Sequence, residues 1–311
     1  MTSATIIGAA GGIGQTVAAE FVARDLFDEL HLVDLRTNLL EADRIDLSEA
    51  SVAAGHQPPH ITVEDPHSAL HALGSSDFVV CAATLGEKPG QSRSSFAQVN
   101  WELLISLVPL ISQVAGEHGT VLLVTNPVDA MAERLAREET IPRDRIIGYS
   151  VNDSTRLRVA IAAEVGVEPD RVQAHALGVH GEQLVPLYSG VRIDDEPVEL
   201  DAGQRQRIDT WTEGWFARWH ELKSGRSSIR STAAGVASVV RATRSGAELP
   251  LSVSTDSVDF LPSSAFIGLP TSFAGGSAAV SDAFECTSEE KAALVEAATA
   301  VRDLAGQLGR G

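Results

Sequence analysis

Residues 4–27, ATIIGAAGGIGQTVAAEFVARDLF, contain the pattern that is most informative about the fold. It begins with a short apolar run, passes through a glycine-rich turn and continues with Val17, Phe21 and Val22 at helical spacing. The pattern predicts a strand over 4–8 and a helix over 14–27, joined by a tight turn.

The turn between that strand and helix is built from small residues. Gly8, Gly11 and Gly14 are spaced GxxGxxG, with Gly12 added, which departs by one residue from the more general GxGxxG fingerprint. Glycines let a backbone turn tightly and approach a pyrophosphate at the positive end of a helix. A dinucleotide-binding turn is therefore indicated, although any tight turn between a strand and a helix could use the same glycines.

The second strand ends in an acid. ELHLVD (29–34) reads as a strand, and its last residue, Asp34, lies 20 residues after Gly14. An acid at this point accepts hydrogen bonds from an adenosine ribose and repels a 2′-phosphate. The interpretation favours NAD over NADP, against the alternative of an ordinary solvated or helix-capping aspartate.

Apolar runs alternate with helical segments through the first half of the chain. Runs rich in Val, Ile and Leu without polar alternation indicate a parallel sheet covered on both faces. Further strands are predicted over 60–64, 76–84 and 120–127, and further helices over 38–55 and 96–119.

The second half has a different pattern. It begins with a helix over 151–166 and continues with a β-rich section over 171–200. Helices over roughly 202–224, 227–243 and 288–308 and strands over 250–258 and 265–273 follow, and Thr287 and Glu290 are spaced as a capping box. We expect a Rossmann-type α/β domain over residues 1–149 and a mixed α+β domain over 150–311, which would bind the substrate.

The charge and cysteine content of the chain make some classes of partner and of bound group poor candidates. The chain has 311 residues and a net charge of −18, and such an acidic surface repels nucleic acid and anionic lipid. Its two cysteines, Cys81 and Cys286, cannot form a disulfide framework or a four-thiolate metal site, and Cys81 ends an apolar run typical of a buried thiol. We therefore expect no metal site. The N-terminus lacks a signal-peptide pattern, so we expect a cytoplasmic protein.

Three further motifs carry chemical groups. VTNPVD puts Asn126 at the end of a predicted strand, where α/β sheets bind ligands, although an Asn-Pro pair also favours a simple turn. NDSTRLR puts Asp153 and Arg156 on one helix face, which by itself is more typical of a surface ion pair. LGVHGEQLVPL puts His180 between two glycines, whereas most histidines are ordinary polar loop residues.

Taken together and in this order, the motifs resemble those of the lactate/malate dehydrogenase family over nearly the whole chain. The turn GAAGGIGQ looks most like that of malate dehydrogenases, and TNPVD, NDSTR and GVHGEQLVPL look like further motifs of the family. The separation of 27 residues between Asp153 and His180 also fits the family pattern.

The resemblance implies a role for each catalytic group. His180 would give and take the proton, and Asp153 would hold its imidazole. Arg156 would bind the substrate carboxylate through two hydrogen bonds, and Asn126 would place the reacting oxygen and the nicotinamide. Arg93, in a loop expected to close over the substrate, would polarise the carbonyl while hydride passes between nicotinamide C4 and substrate C2.

The resemblance also implies the remaining binding residues. NAD would be held by the glycine turn with Ile13, by Asp34 and by Asn100 and Asn126. The segment KSGRSSIRSTAAG (223–235) matches the helix that lines the family's substrate pocket, so Ser227 would face the substrate. From the same segment, Arg226 or Arg230 could supply a cation from the other side of the pocket, although either could equally pair with Glu87.

One position departs from the family in a way that bears on the substrate. In the loop LGEKPGQSR, Glu87 stands where malate dehydrogenases carry an arginine for the second carboxylate and lactate dehydrogenases carry glutamine. Two carboxylates about 4 Å apart repel by about 4 kcal/mol at an effective dielectric constant of about 20. If Glu87 faces the substrate, a 2-keto acid with a neutral or cationic tail is expected instead of a dicarboxylate. If the loop is shifted, Lys88 takes the cationic role.

A second departure is milder: Glu182 stands where the family usually has aspartate.

Malate and oxaloacetate are the first substrate labels by similarity, and a specialised 2-keto acid reductase is the alternative. Short-chain dehydrogenases need a Tyr-x-x-x-Lys pair, and neither Tyr149 nor Tyr188 has a lysine four residues later. A metal-dependent, NAD-using glycosidase would need a Cys/His ligand pair, and Cys81 and Cys286 lie in no such setting. An inactive NAD-binding protein would have little reason to keep all the catalytic groups.

The family implies a homodimer or homotetramer. The tryptophans at 211, 215 and 219 recur every four residues, which is more typical of a core than of an interface.

Overall fold

A computed structural model describes residues 1–86, 92–181, 183–281 and 284–309. The helices are α1 Gly12–Ala23, α2 Thr37–Ala53, α3 Pro66–Ala72, α4 Arg93–Ala115, α5 Val128–Ala136, α6 Val151–Val165, α7 Ala202–Glu213, α8 Trp215–Glu221, α9 Ile229–Ser245 and α10 Ser288–Gln307.

The strands are β1 Ser3–Ile7, β2 Glu29–Val33, β3 His60–Glu64, β4 Phe78–Cys81, β5 Thr120–Leu123, β6 Ile146–Gly148, β7 Val172–Gln173, β8 Ala176–Gly178, β9 Leu184–Pro186, β10 Arg192–Ile193, β11 Glu196–Pro197, β12 Leu249–Ser254, β13 Phe266–Ala274 and β14 Ser277–Val280.

The first six strands form the parallel sheet that the sequence predicts. Their spatial order is β3-β2-β1-β4-β5-β6, and every neighbouring pair is parallel. Since β4 and β5 are buried at every residue, they lack polar alternation, as strands covered on both faces do. Cys81 is buried at the end of β4, as expected.

The sheet continues into the second half of the chain through antiparallel pairs. β6 pairs with β12, which pairs with β13, and β13 pairs with β8 and β14. A separate three-stranded sheet contains β7, β10 and β11. The chain therefore has a parallel sheet followed by a mixed α/β region, as predicted.

The long helix α4 covers one face of the parallel sheet. Its segment Ser94–Ala115 is long and apolar enough to cross a membrane by length and composition alone. Leu104, Ile111 and Val114 are nevertheless buried in the same core cluster as β4 and β5. These contacts identify α4 as a core helix of the described fold.

Several elements differ from the sequence prediction. The predicted helix over 202–224 is two helices, because Gly214 ends α7 and precedes α8. The capping box of Thr287 and Glu290 at the start of α10 is confirmed. The three tryptophans that were expected in a core are only partly buried: Trp211 packs against a core cluster, whereas Trp215 and Trp219 of α8 line a cleft.

Candidate active site

The glycine turn joins β1 to α1 at the carboxyl edge of the parallel sheet. Gly8 has a φ of +85°, and a Cβ there would lie 2.5 Å from the backbone nitrogen of Ala83. A Cβ on Gly14 would lie 2.3 Å from the carbonyl oxygen of Gly8. The side-chain-free N-cap of α1, Gly11, leaves the first amides of the helix accessible to an anion. The turn therefore fits a dinucleotide pyrophosphate.

Asp34 lies beyond the end of β2, beside this turn. One of its oxygens accepts a hydrogen bond from the Ala10 amide at 3.2 Å, and the other accepts from the backbone amide and Nε of Arg36, both at 3.1 Å. Burial alone would raise the pKa of Asp34, but these hydrogen bonds and the charge of Arg36 outweigh it and lower that pKa. The carboxylate is therefore ionised and suited to accept hydrogen bonds from a ribose.

Two adjoining clefts follow the carboxyl edge of the sheet. The first, of about 660 Å³, is lined by Gly8, Gly11, Asp34 and apolar side chains from α3 and α4. The second, of about 550 Å³, is lined by Ile13, Asn126, Arg156, His180 and Ser227 among others. Both clefts include Ala82 and Thr84 in their walls, so an elongated dinucleotide can extend from one into the other.

The central observation is a histidine–aspartate pair in the second cleft. His180 Nδ1 lies 2.6 Å from Asp153 Oδ2, with the two side chains 11% and 1% exposed. Burial would lower the pKa of His180, but the charge and hydrogen bond of Asp153, with the charge of Asp129, outweigh it and raise that pKa. Because Asp153 occupies Nδ1, the other ring nitrogen, Nε2, remains to exchange a proton with a substrate.

A second carboxylate, which the sequence analysis missed, also holds His180. Asp129 lies in the first turn of α5, and its Oδ2 accepts a hydrogen bond from the backbone amide of His180 at 2.8 Å. Complete burial raises the pKa of Asp129 to about 6. The residue was visible in the motif VTNPVD, where an acid follows directly on apolar residues, but spacing alone does not reveal its partner.

Arg156 lies one helical turn after Asp153 and beside His180. Its side chain is 13% exposed, so the two residues do not form a surface ion pair. The guanidinium donates to Asp153 Oδ1 and to Ser228 Oγ, both at 3.4 Å. Burial lowers the pKa of Arg156, yet arginine keeps its charge in proteins. A buried guanidinium with long hydrogen bonds can accept a carboxylate as a new partner.

The structure brings most of the other expected residues to the clefts. Asn126 lies three residues after β5, next to a cis peptide bond with Pro127, and lines the second cleft. Asn100 is buried behind the wall, because its side chain is hydrogen-bonded to Thr84 and Leu85 and to the carbonyl of Phe96. If Asn100 contributes to cofactor binding, it would do so indirectly, by holding residues 84–85 through these hydrogen bonds.

Three positions of the expected site cannot be compared with the geometry. Glu87, Lys88 and Glu182 lie outside the described residues. Arg93 begins α4, and only its backbone is within the described part of the chain.

The described wall of the second cleft combines cations with aromatic rings. Arg156, Lys223 and Arg226 contribute positive charge, and no Asp or Glu is among the described lining residues. Arg230 is exposed on α9. The sequence analysis also missed the aromatic part of the wall, which contains Phe96, Tyr149, Trp215, Phe216 and Trp219.

Comparisons with known proteins agree with this geometry. Residues 2–148 match the model of the lactate/malate dehydrogenase NAD-binding domain, and residues 152–304 match that of the lactate/malate dehydrogenase alpha/beta C-terminal domain. A malate dehydrogenase of Thermomicrobium roseum is 31% identical over 304 residues, covering 96% of each chain.

Two further relatives include both activities of the family. An L-lactate dehydrogenase of Bifidobacterium animalis is 32% identical over 67% of this chain and 66% of the relative. Among solved structures, the malate dehydrogenase of Aeropyrum pernix superposes with a TM-score of 0.88 at 25% identity and covers 99% of each chain.

Proposed function

The chain belongs to the lactate/malate dehydrogenase family and is an NAD-dependent dehydrogenase of 2-hydroxy acids, and we propose that its substrates are malate and oxaloacetate. The residues proposed to carry the reaction are His180, Asp153 and Arg156. The contact between His180 Nδ1 and Asp153 at 2.6 Å, beside the buried Arg156, carries the proposal. NAD supplies the nicotinamide carbon that accepts or gives the hydride.

The residues of the chain supply binding and proton transfer. Arg156 binds the carboxylate next to the reacting carbon through two parallel hydrogen bonds. His180 Nε2 donates a proton to the carbonyl oxygen during reduction and takes it back during oxidation. Asp153 and Asp129 stabilise the imidazolium that oxidation leaves behind, because both carry negative charge close to the ring. Asn126 and Arg93 are proposed to orient and polarise the reacting carbonyl, as the family resemblance implies.

The second substrate carboxylate is assigned to the cationic side of the cleft. Lys223 and Arg226 line it, and the described lining residues include no acid to oppose them. A dicarboxylate would therefore find a cation for each of its carboxylates.

We place the enzyme in the cytoplasm and expect it to form a homodimer or homotetramer.

A second candidate is a reductase for 2-keto acids whose tail is not a carboxylate. Two features favour it: the acidic residue Glu87 a few positions before α4 in the sequence, and the exposed ring of Phe216 beside Arg156. A tail that is neutral, hydroxylated or cationic would avoid repulsion from Glu87.

A substrate panel with NADH distinguishes the two. Oxaloacetate, pyruvate, phenylpyruvate and a 2-keto acid with a terminal amine should be compared by kcat/KM in the wild type and in Arg226→Gln and Glu87→Gln. The malate proposal predicts that oxaloacetate is preferred and that Arg226→Gln reduces kcat/KM for oxaloacetate more than for pyruvate. Preference for the amine-bearing acid, lost in Glu87→Gln, would instead establish the second candidate.

A further inference from the structure

The helix α8 packs aromatic rings against Arg156. The guanidinium carbon of Arg156 lies 3.7 Å from the centroid of the Trp215 ring and 5.1 Å from that of Phe216. Trp219 stacks on Trp215, with centroids 5.2 Å apart and the ring planes 14° from parallel. We call Trp215, Phe216 and Trp219 the aromatic clamp; all three line the cleft that contains His180.

The aromatic clamp is fixed to the loop that follows α8. Trp219 Nε1 donates a hydrogen bond to the carbonyl oxygen of Arg226 at 2.7 Å, and the guanidinium carbon of Arg226 lies 5.8 Å from the Trp219 ring. The same loop carries Ser228, which accepts the hydrogen bond from Arg156. Helix and loop therefore contact Arg156 together, by a ring and by a hydroxyl.

The polar contacts of Arg156 leave its orientation weakly determined. Its hydrogen bonds to Asp153 and Ser228 are both 3.4 Å long, beyond the usual range for N–H···O bonds. Two parallel bonds to a carboxylate require the plane of the guanidinium to be fixed. The Trp215 ring, whose centroid lies 3.7 Å from the guanidinium carbon, restricts the rotation of that plane and keeps water from the face it covers.

We propose that Trp215 is a positioning residue for Arg156. Its ring holds the guanidinium plane so that free N–H groups point into the cleft, where they meet the substrate carboxylate. This inference rests on the proposed function, in which Arg156 binds that carboxylate. Through the ring of Trp215, α8 would contribute to substrate binding without a polar contact of its own to Arg156.

The test compares Trp215→Leu and Trp215→Phe with a matched control. Trp211→Leu is the control, because Trp211 lies on the neighbouring helix α7 and its ring centroid is 4.8 Å from the guanidinium carbon of a different arginine, Arg218 of α8. We expect Trp215→Leu to lower kcat/KM for the keto acid roughly tenfold or more, mainly through KM, by the loss of a desolvated cation–π contact. NADH affinity and the pH dependence of kcat should not change.

The conservative and combined variants separate positioning from general damage. Trp215→Phe should recover most of the lost kcat/KM, because a benzene ring still presents a face to the guanidinium, and Trp211→Leu should behave as the wild type. In the background of Arg156→Gln, Trp215→Leu should cost little more, since the two changes remove one shared interaction. If Trp215→Leu fails to fold, Trp215→Gln provides the same comparison.

Two outcomes contradict different statements. If Arg156→Gln does not change KM for the keto acid, the proposed role of Arg156 is wrong. If Arg156→Gln is impaired but Trp215→Leu and Trp215→Gln keep wild-type KM, or if Trp215→Phe is as impaired as Trp215→Leu, only the positioning role of Trp215 is overturned.

Discussion

At the level of single residues, the proton transfer proposed for His180 would depend on two carboxylates that contact it in different ways. Asp153 contacts the ring, whereas Asp129 binds the backbone amide and acts on the ring only through its charge. Both carboxylates are buried, so their interactions with His180 are little screened by water. The arrangement keeps an imidazolium stable inside the protein.

Replacing Asp129 by asparagine separates its hydrogen bond from its charge. The amide oxygen of Asn can still accept from the His180 amide, but the negative charge that raises the pKa of His180 is lost. In the proposed mechanism, keto acid reduction needs protonated His180, so kcat/KM falls as the pH rises through the pKa of that residue. We expect Asp129→Asn to move this fall to lower pH, because the lost charge is one of those that raise the pKa of His180. The measurement is a pH profile of kcat/KM, and an unchanged profile would remove Asp129 from the account.

At the scale of elements, sequence patterns identified most of the fold where strands and helices are long and regular. The five predicted strands of the first half were found, and so was the glycine turn with α1. The helix α5 was missed although Asp129 and Glu133, four residues apart, give its sequence a polar face; in the fold this face is buried with the rest of the helix. The strands β6 to β11 have two or three residues each, too few to show any period.

The same distinction holds for the candidate site. Asp153, Arg156 and His180 could be proposed from motifs, because each motif has a residue order of its own. The aromatic clamp could not, because its spacing on α8 is equally typical of a core helix. Contacts between helices distant in the chain, such as Arg156 with Trp215, are decided by tertiary packing.

The glycine turn gives a prediction for the element it joins. A Cβ on Gly14 would meet backbone atoms at 2.3 Å and 2.7 Å, and backbone cannot move aside as a flexible side chain can. Gly12, in the first turn of α1, would meet only a side-chain methyl of Ile229, at an ordinary 3.5 Å. Gly14→Ala should therefore lower the free energy of unfolding by about 2 kcal/mol or more, whereas Gly12→Ala should change it by less than about 1 kcal/mol.

Urea denaturation of the two alanine variants and the wild type measures these differences. Equal stability of Gly14→Ala and Gly12→Ala would show that the close packing of the turn does not constrain residue 14.

At the scale of the whole molecule, one sheet connects the two functional halves. β6 pairs with β5 on the nucleotide side and with β12 on the other, and α6, which carries Asp153 and Arg156, directly follows β6. The proposed catalytic groups Asp153 and Arg156 therefore lie where the two halves of the sheet meet, beside the cleft expected for the nicotinamide. Neither of the two clefts is lined by a described residue of α2.

The face of α2 provides a test of assembly. Ile45 and Val52 are seven residues apart, so they share one side of the helix, and they are 54% and 63% exposed. If the protein is a homodimer or homotetramer that uses this face, Ile45→Glu should reduce the molar mass measured by light scattering. Leu222→Glu, at an exposed apolar position outside α2, is the control. An unchanged mass for Ile45→Glu would exclude this face as the interface.

The most direct measurement of the central claim follows deuterium from NADH labelled at the reactive C4 position to its product, in the wild type and in His180→Asn. We predict that the wild type places the label on C2 of the 2-hydroxy acid. We also predict that His180→Asn binds NADH normally but transfers the label at least about a hundredfold more slowly. Transfer at the wild-type rate in His180→Asn, or a wild-type product without label on C2, would contradict the proposed mechanism.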